Sequence, residues 1–201
     1  MTPVLLLIAA YLIGGIPFGY LLVRLTTGAD VRELGSGNIG ATNVLRTTGR
    51  MAGIVTLLLD IAKGWFAVWL MGHFTKQDPI WLSLAAIAVI LGHGFSIFLK
   101  FQGGKAVASF VGAFLYLTPL TVAATTILFV AAVWYTRHIS FGSIAGAAMF
   151  PLGVWMIEHP PPPVLLASIV GGVFVIWRHW SNIERLMAGT ENVFTFSKKS
   201  T

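Results

Sequence analysis

The chain has 201 residues, of which 56% are hydrophobic and only 10% charged, and its mean hydropathy of +0.83 excludes an ordinary soluble domain. Its formal net charge of +6 comes from 13 Lys and Arg scattered between apolar runs. This scatter is typical of loops facing an anionic membrane leaflet and offers no basic stripe for nucleic acid, while the absence of cysteine excludes disulfides, thiolate nucleophiles and cysteine-ligated zinc.

Seven apolar runs predict an all-α integral membrane protein with seven transmembrane helices, forming a single domain over residues 1–201. The first run, residues 1–23, has no positively charged start, so we interpret it as a retained span rather than a cleaved signal. Pro17 is predicted to kink it, and Gly14 to let a neighbouring helix pack closely. The other runs cover residues 51–72, 80–99, 106–117, 120–136, 141–157 and 164–177.

The fourth run is unusually short because the turn signal Thr118-Pro119 separates it from the fifth. At about 12 residues it covers only some 18 Å, which is less than a hydrocarbon core of about 30 Å. The loop before it is therefore predicted to lie below the membrane surface, where it would line a polar cavity.

Lys and Arg are distributed very unevenly between alternate loops. The outer side has only Lys76, and Lys63 lies within the second span. The other eleven share one side: Arg24, Arg32, Arg46, Arg50, Lys100, Lys105, Arg137, Arg178, Arg185, Lys198 and Lys199. The positive-inside rule then predicts an outer N-terminus, a cytosolic C-terminus and a site formed by cytosol-facing polar loops.

The first polar segment, SGNIGATNVLR at residues 36–46, is small and glycine-rich between apolar spans. Arg46 supplies a planar fork of N–H groups suited to phosphate. The other candidate phosphate-binding side chains are Ser36, Asn38, Thr42 and Asn43. The structural alternative is a capped turn before a helix, with Thr42 or Asn43 as the N-cap.

The second and third polar segments fall on the same side of the membrane. In FLKFQGGKAVAS, Gly103 and Gly104 precede Lys105 and a helix start, so exposed amides and an ammonium group together predict an anion site. It is not a Walker A loop, because the spacing is absent. In HWSNIERLMAGTEN, His179 and Asn182 lean towards one helix face with Arg185, although a helix lying along the membrane surface is the structural alternative.

These three segments resemble the motifs of the bacterial acyl-phosphate-dependent glycerol-3-phosphate acyltransferase family, in order, spacing and sidedness. SGNIGATNVLR is similar to the first motif, GHGFSIFLKFQGGKAVAS to the second and HWSNIERLMAGTEN to the third. Two positions depart from the family pattern: Ala106 stands where Gly is usual after GGK, and Ser96 where Pro is common. Neither departure removes a charged or donor group.

The resemblance implies transfer of a fatty acyl group from acyl phosphate to the 1-hydroxyl of sn-glycerol 3-phosphate, giving lysophosphatidate and phosphate at the cytosolic face of a bacterial cytoplasmic membrane. An enzyme that makes acyl phosphate is a further expected partner. The family's functional positions fall on Ser36, Arg46, Gly103, Gly104, Asn182 and Glu191, to which we add Lys105, His179 and Ser143 as candidates. We expect direct transfer without an acyl-enzyme, and neither a cofactor nor a metal, because the histidines lack zinc spacing.

Two other functions compete with this one. His73 and Asp78 have the H-x4-D spacing of glycerolipid acyltransferases that use acyl-CoA or acyl carrier protein, but they fall on the outer loop. A transporter or channel for phosphate or a phosphorylated solute would suit the short fourth helix, although no inverted repeat is visible. Asp60 and Lys63, three residues apart in the second span, are predicted to pair with each other or to face the site.

Overall fold

The computed structural model describes residues 2–194, and every regular element within that range is helical, which confirms the predicted all-α class. The α-helices are α1 (Pro3–Gly15), α2 (Phe18–Thr27), α3 (Ala41–Thr47), α4 (Arg50–Thr75), α5 (Pro79–Gly94), α6 (Val107–Leu117), α7 (Pro119–Thr136), α8 (Ile139–Gly153), α9 (Pro162–Arg178) and α10 (Trp180–Met187). Short helical turns cover Val31–Glu33, Ile97–Leu99 and Val154–Glu158. Lys198 and Lys199, which entered the orientation prediction, lie outside the described residues.

The described helices make this chain a multi-pass membrane protein. Those long and apolar enough to cross a bilayer are the five stretches Pro3–Thr27, Arg50–Thr75, Pro79–Leu99, Pro119–Thr136 and Ile139–Glu158. A sixth qualifies only if α9 and α10, bent by 57°, count as one span. The fourth predicted span, α6, covers about 17 Å, roughly half of a hydrocarbon core. Length and composition in residues 2–194 thus support five or six crossings, against the predicted seven.

The first predicted span is interrupted where Pro17 removes a backbone donor. α1 ends at Gly15 and α2 begins at Phe18, which confirms the kink predicted at Pro17. The carbonyl of Ile16 accepts hydrogen bonds from the Phe18 amide at 3.2 Å and from Lys63 Nζ at 2.8 Å. The same ammonium group lies 2.7 Å from Asp60 Oδ1, which confirms the predicted pairing of these two buried charges.

The turn predicted at Thr118 is also present, because α6 ends at Leu117 and α7 starts at Pro119. Glu158 Oε1 satisfies the start of α7 by accepting hydrogen bonds from the amides of Leu120 (2.8 Å) and Thr121 (3.3 Å). The proline run after Glu158 is partly helical. α9 begins at Pro162, because proline is well suited to the first helical turn.

Two cores hold the helices together. The larger core lies between α1, α4, α5, α6, α7, α8 and α9, and some of these backbones approach closely at glycines. A Cβ on Gly14 would lie 2.1 Å from the carbonyl oxygen of Val89, and one on Gly112 would lie 1.9 Å from that of Ile61. The smaller core anchors residues 36–46 through Ile39 and Val44. Its other members are Val23, Val31 and Leu99.

Candidate active site

Residues 36–46 form a compact loop that is held together by the buried side chain of Asn43. Its Oδ1 accepts a hydrogen bond of 2.9 Å from the Ser36 amide. Its Nδ2 donates to the carbonyl oxygens of Leu34 and Asn38, both at 2.9 Å. With both ends of the amide engaged, Asn43 organises the loop, a structural role beside its predicted one as a phosphate ligand.

The start of α3 also differs from the prediction. The helix begins at Ala41 with Gly40 as its N-cap, so the expectation that Thr42 or Asn43 caps the helix is wrong. Asn38 Oδ1 accepts a hydrogen bond of 2.8 Å from the Gly40 amide and shapes the turn. The side chains of Ser36 and Arg46 are exposed at the open face of this loop.

The backbone groups of Gly103 and Gly104 in the second motif are hydrogen-bonded within the protein. The amide of Gly103 donates to the Gly94 carbonyl at 3.2 Å, and the amide of Gly104 donates to the His93 carbonyl at 3.1 Å. Their own carbonyl oxygens accept from Arg178, through Nη2 at 2.8 Å and Nε at 3.0 Å respectively. Both amides are thus engaged by carbonyl oxygens of α5, and the loop is clamped between α5 and α9; phosphate binding by Gly103 and Gly104 stays a prediction.

Glycine is needed in this loop for close packing. A Cβ on Gly103 would lie 2.1 Å from the His93 carbonyl oxygen, and one on Gly104 would lie 2.5 Å from His93 Nε2. Ala106, which departs from the usual family glycine, has φ +62°, a left-handed conformation that glycine adopts more easily. Ser96, where proline is common, donates through Oγ to the Gly15 carbonyl at 2.5 Å.

The clamped loop presents Lys105 to the third motif, whose residues converge on the buried carboxylate of Glu191. Lys105 Nζ donates to Asn182 Oδ1, and Asn182 Nδ2 donates to Glu191 Oε1 at 2.7 Å. Arg185 Nε donates to Glu191 Oε2 at 2.7 Å, and Ser140 Oγ donates to Oε1 at 3.0 Å. Residues far apart in sequence are thus joined in one charged network.

This network shifts the pKa values of its charged groups. Burial lowers the pKa of Lys105 to about 8; the Glu191 carboxylate opposes this shift, and the positive charges of Arg185, Arg178 and Arg46 add to it. Burial alone would raise the pKa of Glu191, but the hydrogen bonds from Asn182, Arg185 and Ser140 outweigh it and lower that pKa. Glu191 is therefore ionised at neutral pH.

His179 follows the end of α9 and is 3% exposed. Its Nδ1 donates to the Val175 carbonyl oxygen at 2.7 Å, so a neutral ring has its free lone pair on Nε2. Burial lowers the pKa of His179 to about 4; the hydrogen bond to Val175 opposes the shift and the nearby Lys105 charge adds to it. The ring is therefore neutral at physiological pH.

A cavity of about 500 Å³ brings most of the predicted residues together. Ten of the twelve predicted site residues line it: Ser36, Asn38, Thr42, Asn43, Arg46, Lys105, Ser143, His179, Asn182 and Glu191. Gly103 and Gly104 are not among its lining residues. Ser143 also lines the cavity, but its Oγ donates to the Ile139 carbonyl at 3.0 Å within α8.

The cavity has two chemically distinct parts. We call the part around Arg46, Lys105 and Arg185 the cationic mouth, where three cations face the single carboxylate of Glu191. From there the cavity continues between α4, α6, α7 and α8 as an apolar arm. The arm is lined mainly by Ile54, Leu57, Ile61, Val122, Phe129 and Phe150.

Sequence reasoning assigned no site role to four residues that shape the cavity or its loops. Ser140 and Arg185 bind Glu191 directly. Arg178 clamps the glycine loop, and His93 supports it from the other side while its Nδ1 lies 2.9 Å from Ser109 Oγ. The local signals were the adjacency of Arg178 to His179 and the helix face that Arg185 shares with Asn182; Arg185 and Glu191 are six residues apart, whereas the partners of Ser140 and Arg178 are distant in sequence.

The competing H-x4-D pair has structural roles at the end of α4 and the start of α5. His73 stacks on Trp69 with ring centroids 5.6 Å apart. Asp78 Oδ1 caps α5 by accepting from the Ile80 amide at 2.8 Å. Neither residue lines the cavity. In residues 2–194, no cluster of three His, Asp or Glu side chains that could ligate a metal ion is present.

The fold and the sequence both match known acyltransferases. The profile of the family described as glycerol-3-phosphate acyltransferase matches residues 4–189. The glycerol-3-phosphate acyltransferase of Geobacter sulfurreducens is 46% identical over 194 residues, covering 96% of this chain and 98% of that protein. That of Trichlorobacter lovleyi is 48% identical over 188 residues, covering 92% of this chain and 94% of that protein.

Two crystal structures of PlsY (YgiH), an integral membrane glycerol 3-phosphate acyltransferase, are similar over 97% of this chain and 96% of theirs. The glycerol 3-phosphate form has a TM-score of 0.92 at 33% identity. The lysophosphatidic acid form has a TM-score of 0.89 at 32% identity. The resemblance inferred from the three motifs is confirmed, and this chain belongs to the glycerol-3-phosphate acyltransferase family.

Proposed function

We propose that this membrane acyltransferase transfers a fatty acyl group from acyl phosphate to the 1-hydroxyl of sn-glycerol 3-phosphate, releasing lysophosphatidate and phosphate. The observation that carries the proposal is one cavity in which a cationic mouth continues into an apolar arm. Acyl phosphate has the same division, since a charged phosphate is joined directly to an apolar chain. Family membership supports glycerol 3-phosphate as the acceptor.

The cationic mouth fits the two phosphates of this reaction. Arg46 is exposed at the opening, and Lys105 is partly buried behind it. Arg185, although paired with Glu191, contributes a third positive charge to the lining. Charge-assisted hydrogen bonds to phosphate are stronger than neutral ones and strengthen further where water is excluded. We assign Ser36, Asn38 and Thr42 the neutral contacts that orient the acceptor.

The apolar arm fits the acyl chain of the donor. Ile54 and Leu57 on α4 line the cavity and are 41% and 42% exposed. Thr126 on the facing side of α7 is likewise exposed while lining the cavity. The arm therefore opens sideways between α4 and α7, towards lipid. Since burying each methylene gains about 0.8 kcal/mol, the donor would enter from the bilayer and the acceptor from water.

We propose direct transfer, with no acyl-enzyme intermediate. The 1-hydroxyl oxygen attacks the acyl carbonyl carbon, the carbon–oxygen bond to phosphate breaks, and the cationic mouth stabilises the departing phosphate. The hydroxyl proton passes to that phosphate rather than to His179, whose pKa of about 4 makes it the weaker base. For comparison, the second pKa of a phosphate monoester is about 6, which is higher than the pKa of His179. Isolation of an acyl group on Ser36 would contradict direct transfer.

His179→Gln tests the proton acceptor. We expect turnover to fall by about tenfold or less with an unchanged pH profile, because glutamine keeps a polar group near the Nε2 position while removing the titrating ring. Removal of a true general base typically costs about 10² to 10⁴ in rate. A loss of that size, together with a changed pH profile of kcat, would assign the proton to His179.

The donor is tested with purified protein in detergent, supplied with labelled glycerol 3-phosphate and one acyl donor at a time. We expect lysophosphatidate from acyl phosphate without any membrane gradient, and no product from acyl-CoA or acyl carrier protein. Product from acyl-CoA alone would refute the proposed donor. No product from any donor, combined with phosphate flux in liposomes, would favour a transporter instead.

We further propose one domain with seven spans, an outer N-terminus and a site facing the cytosol of a bacterial inner membrane. The distribution of Lys and Arg supports this orientation. In the described residues, all of them except Lys63 and Lys76 lie at the end of the helices where the cationic mouth opens. Arg50 and Lys76 are exposed at opposite ends of α4 and allow a direct test.

Because the chain has no cysteine, single cysteines can report the side of the membrane. In intact spheroplasts, an impermeant maleimide should label Lys76→Cys and His159→Cys but label Arg50→Cys only after the membrane is disrupted. Labelling of Arg50→Cys from outside would reverse the orientation. Protection of His159→Cys would instead show that α6 and α7 do not each cross the membrane, because the loss of one crossing would place His159 on the cytosolic side.

A further inference from the structure

The apolar arm ends against a cluster of three phenylalanine rings deep in the protein. Phe110 and Phe150 line the cavity, and Phe114 packs behind them without lining it. The ring centroids of Phe110 and Phe150 are 4.9 Å apart, those of Phe114 and Phe150 are 5.0 Å apart, and those of Phe110 and Phe114 are 4.6 Å apart. The three side chains are at most 5% exposed, so the cluster is a closed wall.

The register of α7 on α8 completes this wall. The two helices run antiparallel, because a Cβ on Gly153 would lie 3.0 Å from Thr121 Cγ2 and one on Gly146 would lie 3.3 Å from Thr125 Cγ2. This pairing brings Val122, which also lines the cavity and is 7% exposed, to the level of Phe150. We call Phe110, Phe114, Phe150 and Val122 together the arm floor.

The distance from the mouth to the arm floor is set by α8. Ser140, which binds Glu191 at the mouth, and Phe150 are ten residues apart on one helix, which corresponds to about 15 Å. Because the floor is built from close-packed helices, the arm cannot lengthen without moving a buried ring. Within the arm, an acyl chain whose carbonyl lies at the mouth can therefore extend only as far as Phe150.

We infer that the arm floor sets the acyl chain length that this enzyme prefers. The inference rests on the proposed function, since it requires the acyl chain to occupy the apolar arm. A chain short of the floor leaves apolar volume unfilled and loses about fourfold in relative affinity per missing methylene. A chain that exceeds the floor must bend back or leave its end outside the arm.

The test is a competition among lauroyl, myristoyl, palmitoyl and stearoyl phosphate in one reaction with saturating glycerol 3-phosphate. Mass spectrometry of the lysophosphatidate products gives the ratio of kcat/KM values directly. Phe150→Ala should raise the share of the longest product by about fourfold or more per additional methylene accommodated. Gly146→Leu should lower it, because Gly146 lines the arm about 6 Å above Phe150 along α8.

Met71→Ala is the matched control. Met71 is fully buried in the same core but does not line the cavity, so its truncation should leave the product ratio unchanged while disturbing packing. If Phe150→Ala fails to fold, Phe150→Leu and Gly146→Leu still test the floor. Wild-type product ratios in active Phe150 and Gly146 variants would overturn the inference.

Failure of the proposed donor is a separate result. If the wild-type protein is inert with every acyl phosphate but active with acyl-CoA, the same competition with acyl-CoA homologues tests the floor. A shifted ratio there would support the floor and refute only the proposed donor, whereas an unshifted ratio would refute the floor as well.

Discussion

Lys105→Ala is expected to lower kcat/KM for glycerol 3-phosphate by about tenfold or more, because a charge-assisted hydrogen bond to phosphate contributes about 1.5 to 3 kcal/mol. Lys105 is partly buried, lines the cationic mouth and is oriented by Asn182. Steady-state kinetics with each substrate varied in turn measures the loss. Arg46→Ala should cause a loss of similar size.

Lys76→Ala is the control for the loss of a positive charge outside the cavity. Lys76 is exposed at the far end of α4 and does not line the cavity, so its removal should leave both kinetic constants unchanged. Equal losses in the Lys76 and Lys105 variants would show that general surface charge, rather than the cationic mouth, governs substrate binding.

The pKa of Lys105 adds a pH signature to this prediction. Because that pKa is lowered to about 8, the ammonium group loses its proton as the pH rises through about 8. The KM for glycerol 3-phosphate should therefore rise above this pH in the wild-type protein. Lys105→Arg should keep its charge and flatten the rise, since arginine does not titrate in this range. A rise that persists in Lys105→Arg would assign it to another group.

Glu191→Ala is expected to lower the unfolding free energy by about 3 kcal/mol, since hydrogen bonds from Asn182, Arg185 and Ser140 are lost together. It should also lower kcat/KM by about a hundredfold, because Lys105 is oriented through Asn182 and a displacement of about 1 Å has effects of that size. Thermal unfolding in detergent and steady-state kinetics measure the two effects.

The stability difference between wild type and Glu191→Ala should depend on pH. The pKa of Glu191 is lowered in the folded protein, so its contribution is fully present above the unfolded value of about 4.3 and is lost as the pH falls through the folded value. The two unfolding midpoints should therefore converge in acid. Glu184→Ala is the control, because Glu184 is exposed and contacts Trp180 rather than the network. An unaltered midpoint in Glu191→Ala would contradict the network.

Much of the fold could be predicted because its signals are local. The apolar runs located the long helices, and the breaks at Pro17 and Thr118 followed from missing donors and turn propensity. The pairing of Asp60 with Lys63 was predictable because three residues along a helix place both on one face. The number of complete crossings was less predictable, since α6 is too short for composition to show whether it spans.

The site was predicted in composition but less well in detail. Ten of the twelve predicted residues line one cavity, because polar segments in an apolar chain must converge where they can be satisfied. The structural roles of Asn43, Gly103 and Gly104 were not predicted, because small polar residues and glycines serve loop packing and ligand binding equally well. The sequence contains no local feature that distinguishes these two uses.

By itself the sequence determined the membrane class, the helical segments, the three polar motifs and the family, because all of these are recorded in short stretches of residues. Only the tertiary structure decided how the motifs act together. It aligned Arg178 with the carbonyls of Gly103 and Gly104, more than seventy residues earlier, and brought Ser140 and Arg185 to Glu191. It also closed the apolar arm with rings from α6 and α8. Except for Arg185 and Glu191, which are six residues apart, these contacts join residues distant in the chain, so they depend on how the helices pack.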